Sequence, residues 1–235
     1  MSTTSSNSIT LRLQFFDFLF GTEKGQLCIA TGNATKSVFR QHWFKWPEQR
    51  LELGHFIEDQ SAKYNVWFGV TLFNRPERKR DFAIPGTIVW SDLDFVKPFD
   101  LDPIPSVIIE SSPDRYQAIW SLKDVVPPDV AQDYSRRLAY HVGADKSGWD
   151  LEQLLRVPFT KNFKYEEPQQ VKLLRILGTL QDNDYFDRLP EPVPTTTGSV
   201  EVEELPDNLP DLEHVLYSYK RELNDPTSTN STVFK

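Results

Sequence analysis

The sequence predicts an α+β fold, either one large domain or two closely joined lobes, and three observations lead there. Short apolar runs rich in β-branched and aromatic residues recur at 26–31, 38–46, 65–73, 87–90, 106–110, 116–122 and 171–177. Segments with helical spacing alternate with them at 11–20, 53–63 and 129–142. Two of the runs, 106–110 and 116–122, are separated only by Ser111-Ser112-Pro113-Asp114-Arg115, which reads as a hairpin. With 235 residues, 39% of them hydrophobic, the chain can bury a sizeable core.

Residues 1–9 are rich in Ser, Thr and Asn and read as a disordered N-terminus. From Leu11 the apolar positions Leu11, Phe15, Phe18 and Leu19 fall at helical spacing, and Gly21 ends the segment. A strand over 26–31 carries Cys28, the only cysteine, which reads as a small core residue. The aromatic run 38–46 is a second strand stopped by Pro47, with Trp43 and Trp46 as core, and a helix comes next over 53–63. Asn65 to Phe73 reads as a buried strand. Arg75, Arg78, Lys79 and Arg80 make the next loop dense in cations, suited to phosphate contact.

Pro85-Gly86 then introduces Thr87-Ile88-Val89-Trp90, a strand running out of a core into Ser91-Asp92-Leu93-Asp94. Residues i and i+2 of a strand share a face, so Asp92 and Asp94 point the same way, roughly 6 to 7 Å apart. Side by side, two carboxylates repel unless a cation lies between them, and this pair suits one or two hard divalent ions. Alone, the pattern also fits a solvated turn or a helix cap.

Residues 100–105 form a loop before the hairpin. Pro127-Pro128-Asp129 opens a helix to about Val142, with Val130, Tyr134 and Leu138 as its buried stripe and Arg136 and Arg137 outside. A polar loop, 143–150, precedes a short helix over Leu151–Leu155 and then an extended, donor-rich piece from Arg156 to Lys164. The last strand is 171–177. The catalytic-sized domain is thus 10–188, succeeded by an acidic, Pro-rich linker over 189–208 and a C-terminal helix and tail over 209–235.

The formal net charge of −8 argues against nucleic acid as a partner only until its distribution is considered. Seven acidic residues and no Lys or Arg lie between Leu189 and Tyr219, so the rest of the chain is close to neutral and can carry a basic groove. One cysteine excludes a disulfide framework and a cysteine-based zinc site, and fits a reducing cytoplasm. No run of about 18 apolar residues is present to cross a membrane. Residues 11–20 lack a basic preface and carry Asp17, so no signal peptide is expected. His42, His55, His141 and His214 are dispersed, without metal-ligand spacing.

Three features therefore stand in order: Asp-x-Asp at a strand end, a Ser-containing hairpin, and an isolated Asp with Arg-x-Pro and Lys after it. Two-metal nucleotidyl transfer uses this set of chemical types, with carboxylates for the ions and Arg, Lys and small donors for the triphosphate. In that order the motifs resemble the archaeo-eukaryotic primase superfamily, and within it the primase-polymerases of plasmids and phages, including the RepB-like primases.

The resemblance implies an RRM-like catalytic sheet against an N-terminal α/β lobe, with the active site between them. It assigns Asp92, Asp94 and a third Asp to two magnesium or manganese ions. Asp145 and Asp150 both precede Arg156-Val157-Pro158; the spacing of the resemblance favours Asp145, and Asp150 reads as a helix cap. Ser111, Ser112, Arg115, Gln117, Arg156 and Lys164 become nucleotide ligands. Gln117 stands where the family usually has His, and can donate a hydrogen bond but not carry charge. The implied activity is template-dependent DNA priming and polymerisation from dNTPs or NTPs on single-stranded DNA, with a helicase fused or in trans and no zinc. Arg75, Arg78, Lys79 and Arg80 would touch the strand backbone. A non-catalytic replication-origin or single-strand-binding module and a metal-dependent glycosyltransferase are the alternatives; the second leaves the later Asp, Arg-x-Pro and Lys unexplained.

Overall fold

The computed structural model describes residues 3–192, with side chains from residue 7. Its elements run α1 (Thr3–Phe20), β1 (Gly25–Gly32), β2 (Phe39–Trp46), α2 (Arg50–Ser61), β3 (Asn65–Gly69), β4 (Gly86–Leu93), β5 (Val107–Ser112), β6 (Arg115–Val126) and α3 (Pro128–His141). Then come β7 (Leu154–Arg156), β8 (Lys161–Asn162), β9 (Gln169–Gln170), β10 (Lys172–Ile176), β11 (Leu180–Gln181) and α4 (Asn183–Asp187). The compact unit that contains them ends at Pro192. The expected C-terminal helix, and the linker beyond Pro192, lie outside the described residues.

Two larger, mainly antiparallel sheets form the α+β architecture, and β8 pairs β9 in a separate two-stranded ribbon. The first has the order β2-β1-β3-β7. In the second, β10 pairs β5, β5 pairs β6 and β6 pairs β4, while β11 adds a short parallel pairing to β6. α1 packs on α2 and touches β4, α2 lies on β2 and β3, and α3 covers β4. Phe15, Phe16, Phe20, Trp46 and Phe68 interlock at centroid distances of 5.2 to 6.5 Å, several of them edge to face. Trp46 is core, as expected, whereas Trp43 is half-buried against Phe73. Cys28 is fully buried on β1, and burial pushes its thiol up to about 12.

Three expectations need correction. α1 begins at Thr3, so residues 3–9 are helical where the Ser/Thr-rich composition reads as disorder. The reason is tertiary: Ile9 and Leu13 sit where a Cβ on Gly54 of α2 would meet them at 3.0 to 3.3 Å, a close helix approach that the glycine accommodates without either side chain giving way. The segment Leu151–Leu155 is not a helix; its end is β7, which pairs Leu154, Leu155 and Arg156 with Gly69, Phe68 and Trp67. And Val130 is half-buried, with Ala131, Ser135 and Ala139 joining Tyr134 and Leu138 on the inner face of α3.

β4 occupies a sheet edge. Of its two sides, one pairs β6 and the other pairs no strand among the described residues, so it must be satisfied or shielded. Helix α3 and the loop behind it do this. The Ser135 hydroxyl, fully buried, accepts a hydrogen bond from the Trp90 backbone N–H at 3.1 Å, and the Asp145 N–H donates to the Asp92 carbonyl at 3.0 Å. Ser135→Ala leaves a buried N–H without its acceptor and is expected to cost about 1–3 kcal/mol of stability in urea denaturation. A stability unchanged by this substitution would mean that the strand edge finds another partner.

Candidate nucleotidyl-transfer site

A cavity of about 690 Å³ opens between the two sheets. Asp92, on β4, and Asp94, just past its end, both line it, as the shared-face argument requires. Asp145 does not line the cavity itself, but its backbone is fastened to Asp92 and its charge acts on it. The Asp145 carboxylate accepts hydrogen bonds from the Ser147 N–H at 2.9 Å and hydroxyl at 2.8 Å. Asp150 instead accepts the Glu152 N–H at 2.8 Å, a local turn-capping contact.

Asp92 feels its surroundings. Burial pushes its carboxyl up to about 6; the charges of Asp94 and Asp145 act the same way, against a long 3.5 Å hydrogen bond from Gln117 and the positive charge of Arg156. Gln117 is buried, and its other end accepts the Arg156 backbone N–H at 2.8 Å. The amide thus ties the two sheets together at the cleft floor. Its side chain reaches the cavity wall, yet its carbonyl oxygen is already engaged by the protein.

The hairpin between β5 and β6 turns on two residues, with Asp114 at φ +60°, a conformation Asp tolerates. A register shift lies between Glu110 and Ser112. Consecutive residues of a regular strand face opposite ways, whereas Ser111 and Ser112 both line the cleft, and such a bulge is what re-aims side chains. Ser112 accepts from the Tyr165 hydroxyl at 3.1 Å, and Arg115 donates to the Asp94 carbonyl at 2.7 Å.

The opposite wall comes from β3 and β7. Arg156 donates to the buried Asn65 side chain at 2.9 Å and lies over the Trp67 ring at 5.2 Å. Burial lowers its guanidinium to about 10, which still leaves it charged at neutral pH. Lys164 lines the same wall. The loop after β7 is braced from α1: Arg12, itself paired with Glu58, donates to the Phe159 carbonyl at 2.6 Å. Buried Asn162 donates to the Ser111 carbonyl at 2.9 Å, joining the donor-rich segment to the hairpin.

The basic loop divides. Arg78 lines the cavity, hydrogen-bonded to the Glu152 carbonyl, while Arg75 and Lys79 pair with Glu77 at 2.6 and 2.5 Å. Arg80 is exposed, outside the cavity lining, and its backbone N–H meets Glu152 at 3.2 Å. Sequence reasoning missed Lys36, Phe39, Asn65, Trp67, Phe95 and Tyr165. The alternation Asn65-x-Trp67 could have shown one polar and one aromatic side chain on the face of β3 that meets Arg156.

Among the described residues, no three His, Cys, Asp or Glu side chains form a ready-made ion cage. The donor set still fits a hard cation. Magnesium commonly takes one or two carboxylates and completes its shell with water and substrate phosphate. Asp92 and Asp94 supply such oxygens on the cavity wall, and the repulsion felt at Asp92 is of the kind a cation relieves.

The fold that carries this cleft is that of archaeo-eukaryotic primase domains. The chain is similar to the crystal structure of primase RepB′, with 20% identity, 75% of this chain and 58% of that one covered and a TM-score of 0.56. It resembles the catalytic domain of RepB′ in complex with initiator DNA (21% identity, 72% and 87% covered, TM-score 0.54). The primase-polymerase domain of cyanophage S-2L shares the fold at 12% identity (79% and 98% covered, TM-score 0.58). A family model, the RepB DNA-primase N-terminal domain, matches residues 95–181 and narrows the resemblance to the RepB type. That match starts one residue after Asp94. No curated protein matches the sequence significantly. The chain thus spans 58% of the length of the RepB′ primase.

The position of Asp92 makes a pH-dependent stability effect expected. An unfolded carboxyl near 3.8 and a folded one near 6 mean that the native state holds the proton more tightly, so stability falls as pH rises between these values. In metal-free buffer, Asp92→Asn should raise stability by about 1–3 kcal/mol at about pH 8 and leave it unchanged near pH 3.5. Thermal melts across that range give the check, and a difference that does not grow with pH contradicts the assignment.

Proposed function

We propose that this protein is a template-dependent DNA primase-polymerase, a nucleotidyltransferase acting in the replication of a plasmid, phage or mobile element. The observation that carries this is a single cleft bringing Asp92 and Asp94 together with Ser111, Ser112 and Arg115 from one sheet and Arg156 and Lys164 from beside the other. The match to the RepB primase model and the primase fold support the same reading.

In this proposal Asp92, Asp94 and Asp145 hold two magnesium or manganese ions. When bound, such ions lower the pKa of an attacking 3′ hydroxyl and steady the triphosphate. The chain's own groups do the rest. Ser111 and Ser112 offer hydroxyl donors on one side of the triphosphate, and Arg115, Arg156 and Lys164 offset its charge. Gln117 orients Asp92 and Arg156 rather than acting chiefly on phosphate, since its amide already joins them. Arg78 is the cation of the basic loop best placed for the strand; Arg75, Lys79 and Arg80 would reach its backbone farther out.

The partners are a single-stranded DNA template, a primer and dNTPs or NTPs, with a helicase fused or in trans, and no zinc is involved. No described helix is long and apolar enough to cross a membrane, and the cytoplasm is the proposed location. The catalytic unit of the proposal is 10–188 with the N-terminal part of α1 added. The fold comparison supports priming over glycosyl transfer. Gln117 in place of His favours, as a second reading, a DNA-binding module without catalysis.

Asp92→Ala with Asp94→Ala should lower magnesium- or manganese-dependent primer extension by more than about 100-fold with the circular dichroism spectrum preserved. Asp145→Ala should lower it too, and Asp150→Ala far less. Undiminished extension by the double variant overturns the proposal. DNA binding by the wild type without incorporation in either metal selects the non-catalytic module.

A further inference from the structure

Phe95 comes directly after the carboxylate pair and is 86% exposed, an extreme for a phenylalanine whose neighbours Leu93 and Trp90 are buried. One face of its ring is covered: the Arg115 guanidinium lies 4.1 Å from the centroid. That guanidinium is itself held by the Asp94 carbonyl at 2.7 Å, so ring and cation form a supported plate beside the carboxylates. On the other sheet, Phe39 at the start of β2 is 41% exposed, with its centroid 6.2 Å from the Trp67 ring at 47°. Lys36, on the turn before it, lines the same cavity as both phenylalanines.

Uncovered aromatic surface on a cationic cleft is matched by a ligand that joins negative charge to flat π faces. Single-stranded nucleic acid has this form: bases stack on aromatic rings while the backbone tracks Lys and Arg. Two rings, one just past the end of β4 and one on β2, make two platforms. A lone nucleotide has one base, whereas a strand offers several in succession. We propose that Phe39 and Phe95 are stacking platforms for unpaired bases of a single DNA strand held across the cleft, with Lys36 as a backbone partner and Arg115 bracing the covered face of the Phe95 ring. Phe39 and Phe95 thus act as positioning residues for the strand. The identity of that strand as template rests on the polymerase reading above; the stacking itself does not.

Binding is read by fluorescence anisotropy in EDTA without nucleotide, using labelled oligothymidylate of about 20 nucleotides and an abasic strand of equal length and charge. The wild type should prefer the base-bearing strand by about tenfold or more. Phe39→Ala and Phe95→Ala should each reduce that preference several-fold while binding of the abasic strand stays constant. Phe95→Trp should keep the preference and Phe95→Leu, similar in apolar character but without a π face, should not. Equal binding of the two strands by the wild type overturns the proposal. So does an undiminished preference in the alanine variants, or an equal loss for both strands with a lowered melting temperature, which marks a packing role. Variants that bind both strands normally but raise the KM for dNTP move the rings to the incoming base and overturn the strand assignment. Failure of primer extension with the base preference intact sinks the polymerase reading and leaves the stacking standing; extension without any base preference does the reverse.

Discussion

A backbone hydrogen bond from the Asp145 N–H to the Asp92 carbonyl at 3.0 Å fastens the loop that carries one acidic residue to the strand that carries another. The strand that carries Asp92 lies at a sheet edge, and an edge inside a protein needs something to close it. The loop leaving α3 supplies that closure. In doing so it brings a third carboxylate into the neighbourhood of two others, more than fifty residues away in the chain. Burial first and the charge of Asp94 next raise the Asp92 carboxyl to about 6, and Asp145 adds a smaller push in the same direction. Structure and chemistry are coupled here: what seals the strand also gathers the charge.

Gln117 adds a second constraint of the same kind. A histidine at this position could take up a proton and carry positive charge; an amide offers a donor and an acceptor but stays neutral. Its acceptor end takes the Arg156 N–H from one sheet while its donor end reaches toward Asp92 on the other. The two sheets therefore meet here through a side chain rather than through strand pairing, and the positive charge of the cleft comes from Lys36, Arg78, Arg115, Arg156 and Lys164. Arg156 can carry it because Asn65 and Trp67 hold its guanidinium from the far side.

Period-two patterns made much of this legible in the sequence. Asp92 and Asp94 share a face because any strand puts i and i+2 together, and the β5–β6 hairpin is dictated by its apolar runs and turn residues. What stayed hidden depends on contacts between distant segments. Leu154 and Leu155 suit a helix as well as a strand, and only pairing with β3 decides for β7. Residues 3–9 have no apolar stripe to advertise a helix; α2 and its Gly54 supply the surface. The cations at 75–80 look alike in sequence, but Glu77 takes two of them and leaves Arg78 for the cavity. Likewise, no local rule says that Phe39 and Trp67 belong to the same wall as Arg156, since that wall exists only once the strands of the first sheet are in place.

Burial of the lone cysteine has a practical side. Cys28 is inaccessible on β1, and its thiol ionises only near 12, so the thiolate that reacts with maleimides is absent under ordinary conditions. A thiol engineered onto the exterior would then be the sole reactive one in the folded molecule. Dyes or spin labels could be attached there at one chosen point without first removing the native sulfur.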